Sequence, residues 1–165
     1  MPDRPQPWVE FMLGSRLPGG FFGIVGGAHF GRYLGPAIGF GLGGGPDGGS
    51  LAIGNEVMIL QGERIKVRGF AYWNYAFGRD VNDEFSNGYR TITDPSRSVK
   101  AGASFNFHTG PDCSFALRAG WSWALDVPTV TEERPSGTVS HLADDAYFSD
   151  ALLLGGGVTI WIGRF

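Results

Sequence analysis

The chain has 165 residues, a formal net charge of −3, a hydrophobic fraction of 42% and an aromatic fraction of 14%. That length fits one domain, and a balance of 13 Lys+Arg against 16 Asp+Glu argues against a nucleic-acid-binding domain. One cysteine, Cys113, excludes an intramolecular disulfide and any multi-cysteine metal site, and no uncharged apolar run of about 18 residues is present to cross a membrane as a helix.

Taken in chain order, the hydrophobic period is two almost everywhere, the mark of strands. Over 7–17, Val9, Phe11 and Leu13 oppose Glu10, Met12, Gly14 and Arg16. Over 20–32, Phe22, Ile24, Ala28 and Phe30 oppose Gly23, Val25, Gly27 and His29. Over 36–44, Pro36, Ile38, Phe40 and Leu42 oppose Ala37, Gly39, Gly41 and Gly43, and over 51–61, Leu51, Ile53, Val57 and Ile59 oppose Gly54, Glu56, Met58 and Leu60. The next three stretches are longer and clearer. In 64–78, Ile65, Val67, Ala71, Trp73, Tyr75 and Phe77 face away from Arg64, Lys66, Arg68, Phe70, Tyr72 and Asn74. In 98–108, Val99, Ala101, Ala103, Phe105 and Phe107 share one face, and in 112–126 so do Cys113, Phe115, Leu117, Ala119, Trp121, Trp123 and Leu125. The last segment, 150–165, completes eight strands.

The connections alternate in length. Those at 31–35, 61–63 and 109–111 are short, those at 17–19 and 44–50 modest, and the long polar ones, 79–97 and 127–149, all fall on the same end of an up-and-down meander. A soluble barrel has no physical reason for such asymmetry, whereas a barrel crossing an outer membrane has tight turns on one side and long loops on the other. The aromatics also sit at strand ends: Trp73, Tyr75, Phe77, Trp121 and Trp123 near the long loops, and Phe30, Phe107 and Phe115 near the short turns. Two such rings are the expected girdles at two water interfaces. The expected fold is therefore all-β, an eight-stranded antiparallel up-and-down transmembrane barrel in one domain, 1–165, with its apolar face outward. The bland alternative, a soluble lipocalin-like ligand-binding barrel, requires Trp121 and Trp123 inside.

Eight alternating strands, short turns at one end and a terminal phenylalanine in Val158-Thr159-Ile160-Trp161-Ile162-Gly163-Arg164-Phe165 resemble the small outer-membrane barrels of the OmpA/OmpX type. The resemblance implies a porin-like location in the outer membrane of a Gram-negative bacterium, with membrane lipid and lipopolysaccharide around the barrel. It also implies that Phe165 is a signal for the barrel-assembly machinery. Met1-Pro2-Asp3-Arg4-Pro5 carries no secretory h-region, so Met1 is expected to stand in place of a removed export signal. The chain departs from the family pattern at its end: Phe165 shares a face with Gly163, Trp161, Thr159 and Gly157, while Ile162, Ile160, Val158, Leu154 and Leu152 take the other. The aliphatic set is expected to face lipid.

On that assignment the lumen receives Glu10, Arg16, Glu56, Arg64, Lys66, Arg68, Lys100, Asp112, Arg118 and Asp126. Charges so enclosed must pair, and Glu10, Glu56, Arg68 and Arg118 are expected to form a mid-barrel ion network. A turn centred on Gly62 places Glu56 across from Arg68, and a turn at 109–111 places His108 across from Asp112. Glycines on strands two and three face the bulkier Arg68, Phe70 and Tyr72 of strand five, a complementary filling.

Several motifs invite chemistry and are weaker than they look. Gly39-Phe40-Gly41-Leu42-Gly43-Gly44 matches G-x-G-x-x-G, yet a loop follows where a helix is needed. His108 with Asp112 has the form of an oriented general base, with Ser114 on the same face, but equally of a satisfied polar pair. The acids around His141 (Asp144, Asp145, Asp150) and in 79–94 read as solvated loop, and Ser140 is placed to cap a short helix running to Leu152. No catalytic residue, metal or cofactor is expected. The expected role is structural or surface-interactive, with an external ligand or partner chain meeting loops 79–97 and 127–149. An anion-preferring pore and a lipid-modifying outer-membrane enzyme are the alternatives.

Overall fold

Side chains alternate across a strand, so a sheet whose strands carry bulky apolar residues on one face and small or polar residues on the other closes most readily with the small face inward. The computed structural model, which describes residues 5–18, 21–42, 48–83, 89–143 and 150–162, has that arrangement. Its strands are β1 (Gln6–Ser15), β2 (Phe22–His29), β3 (Pro36–Leu42), β4 (Gly49–Gln61), β5 (Ile65–Ala76), β6 (Arg79–Asp83), β7 (Tyr89–Thr93), β8 (Ser96–His108), β9 (Cys113–Ala124), β10 (Thr129–Arg134), β11 (Gly137–Leu142) and β12 (Ala151–Trp161).

Eight of these, in the order β1-β12-β9-β8-β5-β4-β3-β2, form a closed barrel, every pair antiparallel, with β1 hydrogen-bonded to both β2 and β12. The outward face is apolar from β1 to β12: Phe11, Ile24, Phe40, Ile53, Trp73, Phe105, Leu117, Trp121 and Leu154 are all exposed. The inward face is closed to solvent. Trp121 and Trp123 are each 41% exposed while Arg118 is 2% and Asn106 0%, so these two tryptophans lie outside and the lipocalin-like arrangement is overturned. On β12 and the residue after it, the aliphatic set Leu152, Leu154, Val158, Ile160 and Ile162 is outside, and Thr159 and Trp161 are buried. Phe165 lies outside the described residues.

The close approach of neighbouring strands is possible only because glycines line parts of the wall. Gly102 on β8 faces Gly120 on β9, and a Cβ on Gly102 would lie 2.2 Å from the Ala119 carbonyl oxygen and 2.6 Å from Gly120 Cα.

Three expectations need correction. The β4–β5 register is not symmetric about Gly62: Glu56 pairs with Phe70 and Met58 with Arg68, because the turn closes from Gly62 N to Ile65 O at 2.9 Å, further along the chain, and a bulge between Met58 and Leu60 then shifts the ladder by one residue. An inserted residue moves the following side chains to the other face, and Leu60 accordingly points outward. Arg32 secures the bulge, donating from Nε to Met58 O (3.0 Å) and from Nη2 to Ile59 O (2.7 Å). Next, His108 stands across from Ser114, not Asp112, because the β8–β9 connection takes in Asp112 and β9 begins at Cys113.

The third correction concerns the long loops. The described parts of 79–97 and 127–149 are not irregular: β6, β7, β10 and β11 make a second, four-stranded antiparallel sheet in the order β11-β10-β7-β6. The expected helix from Ser140 is absent at its start, where Ser140 pairs with Thr131 in the β10–β11 ladder, and at its end, where Ala151 and Leu152 belong to β12. Its middle, 144–149, lies outside the described residues. Tyr89-Arg90-Thr91-Ile92-Thr93 and Thr129-Val130-Thr131 carry the β-branched content that favours strands, and cross-strand pairing between the two segments satisfies the backbone.

Candidate functional site

The centre of the lumen is built from two walls. On one, Arg68 of β5 and Arg118 of β9 both stand in register with Ser104 of β8, so two guanidiniums are held side by side with only a small hydroxyl between them. On the other, Glu10 of β1 lies beside Thr159 of β12, and Glu56 projects from β4. Like charges at such spacing are tolerable only if carboxylates interleave them, and they do. Arg68 donates to Glu10 Oε2 (2.5 Å) and Glu56 Oε2 (2.7 Å). Arg118 donates to Glu10 Oε1 (2.6 Å) and Oε2 (3.1 Å), and to Glu56 Oε1 (2.8 Å).

Neutral groups complete the cluster. Thr159 donates to Glu10 at 2.8 Å, Tyr72 to Glu56 at 2.6 Å, and Asn106 accepts from Arg68 at 2.8 Å. Two guanidinium nitrogens, Arg68 Nε and Arg118 Nη1, have no hydrogen-bond partner among the described residues. Each guanidinium instead lies over a ring, Arg68 over Trp8 at 4.5 Å and Arg118 over Phe70 at 5.0 Å, where the π face supplies part of the missing electrostatics. Glu10, Glu56 and Arg68 have no exposed surface. Removing charges so completely from water is compensated only by near-complete pairing, and the four formal charges sum to zero.

The structure thus brings together Glu10, Glu56, Arg68 and Arg118, with Lys66 and Lys100 also buried toward opposite ends of the lumen. It does not bring in Arg16, Arg64, Asp112 or Asp126. Arg16 takes a positive φ of 57° just beyond β1, Arg64 is exposed in the β4–β5 turn and Asp112 lies in the β8–β9 turn, and Asp126 pairs with Arg97 at 2.6 Å on the rim. All four fall beyond the strand ends, where alternation no longer assigns a face. Lys100 reaches the Leu17 carbonyl at 2.9 Å. Sequence reasoning missed Trp8, Tyr72, Ser104, Asn106 and Thr159 as cluster members, although all share the inward parity of residues it had placed.

Ser114 and His108 do meet, Oγ to Nδ1 at 2.9 Å. Trp161 Nε1 donates to the same Oγ at 3.0 Å, so the hydroxyl bridges the indole and the imidazole. Ser114 has no exposed surface, and an attacking oxygen must be reachable. The aromatic residues divide between the two ends of the barrel: Trp73, Phe77, Trp121 and Trp123 are exposed toward the end that carries the second sheet, with Tyr75 half-buried in the stack Trp73–Tyr75–Phe77 (6.0 and 5.6 Å between ring centroids). Phe30, Phe107 and Phe115 are exposed toward the short turns, the last two cross-strand partners.

The second sheet has its own ion pairs, all in water. Arg90 of β7 grips Asp80 of β6 through Nε (2.9 Å) and Nη2 (2.6 Å) and reaches Glu133 of β10 at 3.3 Å, while Arg134 pairs with Glu132. The Arg90 hydrogen bonds hold the Asp80 carboxyl below its ordinary value, and those from Arg134 do the same for Glu132. Residue His141 is exposed on β11. Asp150 accepts from the Ala124 amide at 3.0 Å, and Asp144 and Asp145 lie outside the described residues.

A closed eight-stranded antiparallel barrel with apolar side chains outside and ion pairs inside is the polarity of an outer-membrane barrel. No protein-family model and no curated protein matches the chain. Among solved structures it is similar in fold to the crystal structure of a major outer membrane protein from Thermus thermophilus, with a TM-score of 0.58 at 14% identity, over 96% of this chain and 100% of that one.

Proposed function

We propose that this chain is an integral outer-membrane barrel with a sealed lumen and a structural or surface-interactive role. The observation that carries the reading is the inverted polarity: a continuous apolar exterior around a buried, charge-balanced Glu10–Glu56–Arg68–Arg118 cluster. Water would not leave an exterior so rich in Ile, Leu, Phe and Trp uncovered, whereas acyl chains cover it without cost. Strands of 10 to 13 residues in β1, β4, β5, β8, β9 and β12 match the ~9–11 tilted residues that span a bilayer. The exposed aromatics at each end then sit at the two headgroup layers, and lipopolysaccharide and lipid are the immediate neighbours. As in other barrels of this class, the barrel-assembly machinery would read the segment ending at Phe165. The four-stranded sheet over 79–97 and 127–149 projects beyond the aromatic ring, which suits it to meet an external ligand or partner chain.

Against the pore alternative stands the density of the cluster: side chains from six strands bridge the lumen with distances of 2.5 to 3.1 Å between charged groups. Against the enzyme alternative stands the burial of Ser114. The reading is tested by detergent refolding, heat-modifiable migration on a gel and planar-bilayer recording. A folded, silent protein is the expected result. Steady anion-selective steps would replace the sealed barrel with a pore, and free solubility in buffer without detergent would remove the membrane altogether.

A further inference from the structure

At the short-turn end the lumen does not close flush. A mouth of about 980 Å³ opens between the turns, lined by Arg32, Lys66, His108, Gln6 and Glu63 among others. Lys66 is the notable member. It is only 7% exposed, its Nζ lies 3.9 Å from the centroid of the Trp161 ring, and no carboxylate among the described residues pairs with it. The two acids of the lumen are already committed to Arg68 and Arg118, so Lys66 is the excess cation on this side of the cluster. A π face compensates an ammonium only in part, and a largely buried charge calls for an anion.

Other groups at the same end have unspent capacity. Arg32 uses Nε and Nη2 on the bulge carbonyls, which fixes its guanidinium and leaves Nη1 without a partner among the described residues. His108 spends Nδ1 on Ser114, which leaves Nε2 without a hydrogen-bond partner among the described residues. His29, buried and stacked against Trp161 with ring centroids 6.3 Å apart, has no hydrogen-bond partner among the described residues on either ring nitrogen. The one acid among the lining residues, Glu63, is exposed in the turn.

We propose that this mouth is a binding site for a phosphate-class oxyanion, with Lys66 as the counter-charge and Arg32 and His108 as converging donors. Lys66, Arg32 and His108 line the same mouth, and Arg32, already fixed on the bulge carbonyls, adds little ordering cost on binding. The anion comes either from free phosphate or from a phospholipid headgroup at the rim.

Calorimetric titration of the refolded protein in a zwitterionic detergent with inorganic phosphate, chloride as control, tests the site. Saturable binding is expected, weakened about tenfold or more in Lys66→Gln, with heat-modifiable migration confirming that the variant folds. Should it not fold, Arg32→Gln carries the same comparison. Saturation seen only in nanodiscs of phosphatidylglycerol and not of phosphatidylcholine, and again lost in the variant, assigns the same site to a headgroup. No saturable heat from either source, or binding indifferent to both substitutions, overturns the proposal.

Discussion

The protein contains the same pair, an arginine held by two carboxylates, in two settings. Arg68 meets Glu10 and Glu56 with no exposed surface on any partner, and Arg90 meets Asp80 and Glu133 with every partner about half exposed. The distances overlap, yet the consequences do not. In the lumen neither partner has water to fall back on, so each ion depends on the other and on the neutral donors around it. In the outer sheet water substitutes for a lost partner, and the pair fixes geometry more than it contributes free energy. Distance alone does not rank ion pairs; the solvent left to each partner does.

The sharpest way to break this contrast is Glu56→Gln. It leaves two guanidiniums sharing Glu10 and strips Tyr72 of a charged acceptor, so a loss of about 3–5 kcal/mol is expected, read as a lower urea midpoint for the folded form in detergent. Pairing it with Arg118→Met restores neutrality and is expected to recover part of that loss. An unchanged midpoint in the single variant would show that the lumen is wetter than its geometry implies.

Gly102→Ala probes the wall instead of the plug. Its methyl group would be driven into the Ala119 carbonyl across the β8–β9 ladder, and overpacking of this kind costs about 1–3 kcal/mol. The same substitution at Gly110, where nothing lies near the added Cβ, should leave the midpoint where it is. Thermal melts of the two variants make the comparison.

The smallest effect is expected from Arg90→Ala. Global unfolding of the barrel should not move, while amide exchange in β6 and β7 should quicken. Acid gives a second handle. Because the folded Asp80 carboxyl titrates below its ordinary 3.8, its contribution is complete above that value and fades only as pH falls through the lower folded one. Protection factors in the outer sheet of the wild type, that is exchange corrected for its intrinsic pH dependence, should therefore stay constant through mild acid and drop only in strong acid, and the Arg90 variant should lack this transition.

The alternation of residues such as Phe105, Phe107, Leu117 and Trp121 made the outward face legible from the period alone, and the inward parity of Glu10, Glu56, Arg68 and Arg118 made the cluster legible as a set. Their individual partners were not. A two-residue period assigns faces but not register: the β4–β5 turn closes between Gly62 and Ile65 and not about Gly62, which displaced every pairing inferred from it, and the Met58–Leu60 bulge shifted the ladder once more. His108 met Ser114 for a similar reason, since the turn after β8 is longer than it looks in sequence. The outer sheet was hidden because its strands are five or six residues long and polar on both faces, so no apolar stripe marked them; Thr91, Ile92, Thr93 and Val130 carried the only local signal.

One further consequence follows from the β10–β11 hairpin. Its tip, Arg134 to Gly137, turns at a glycine with φ 134° around which a side chain would meet nothing within 4 Å, and β11 has every residue exposed. Foreign sequence is best accepted where it displaces no packed neighbour and interrupts no ladder. Splicing an epitope between Pro135 and Ser136 would leave barrel closure untouched, making this tip the natural graft point for an inserted peptide.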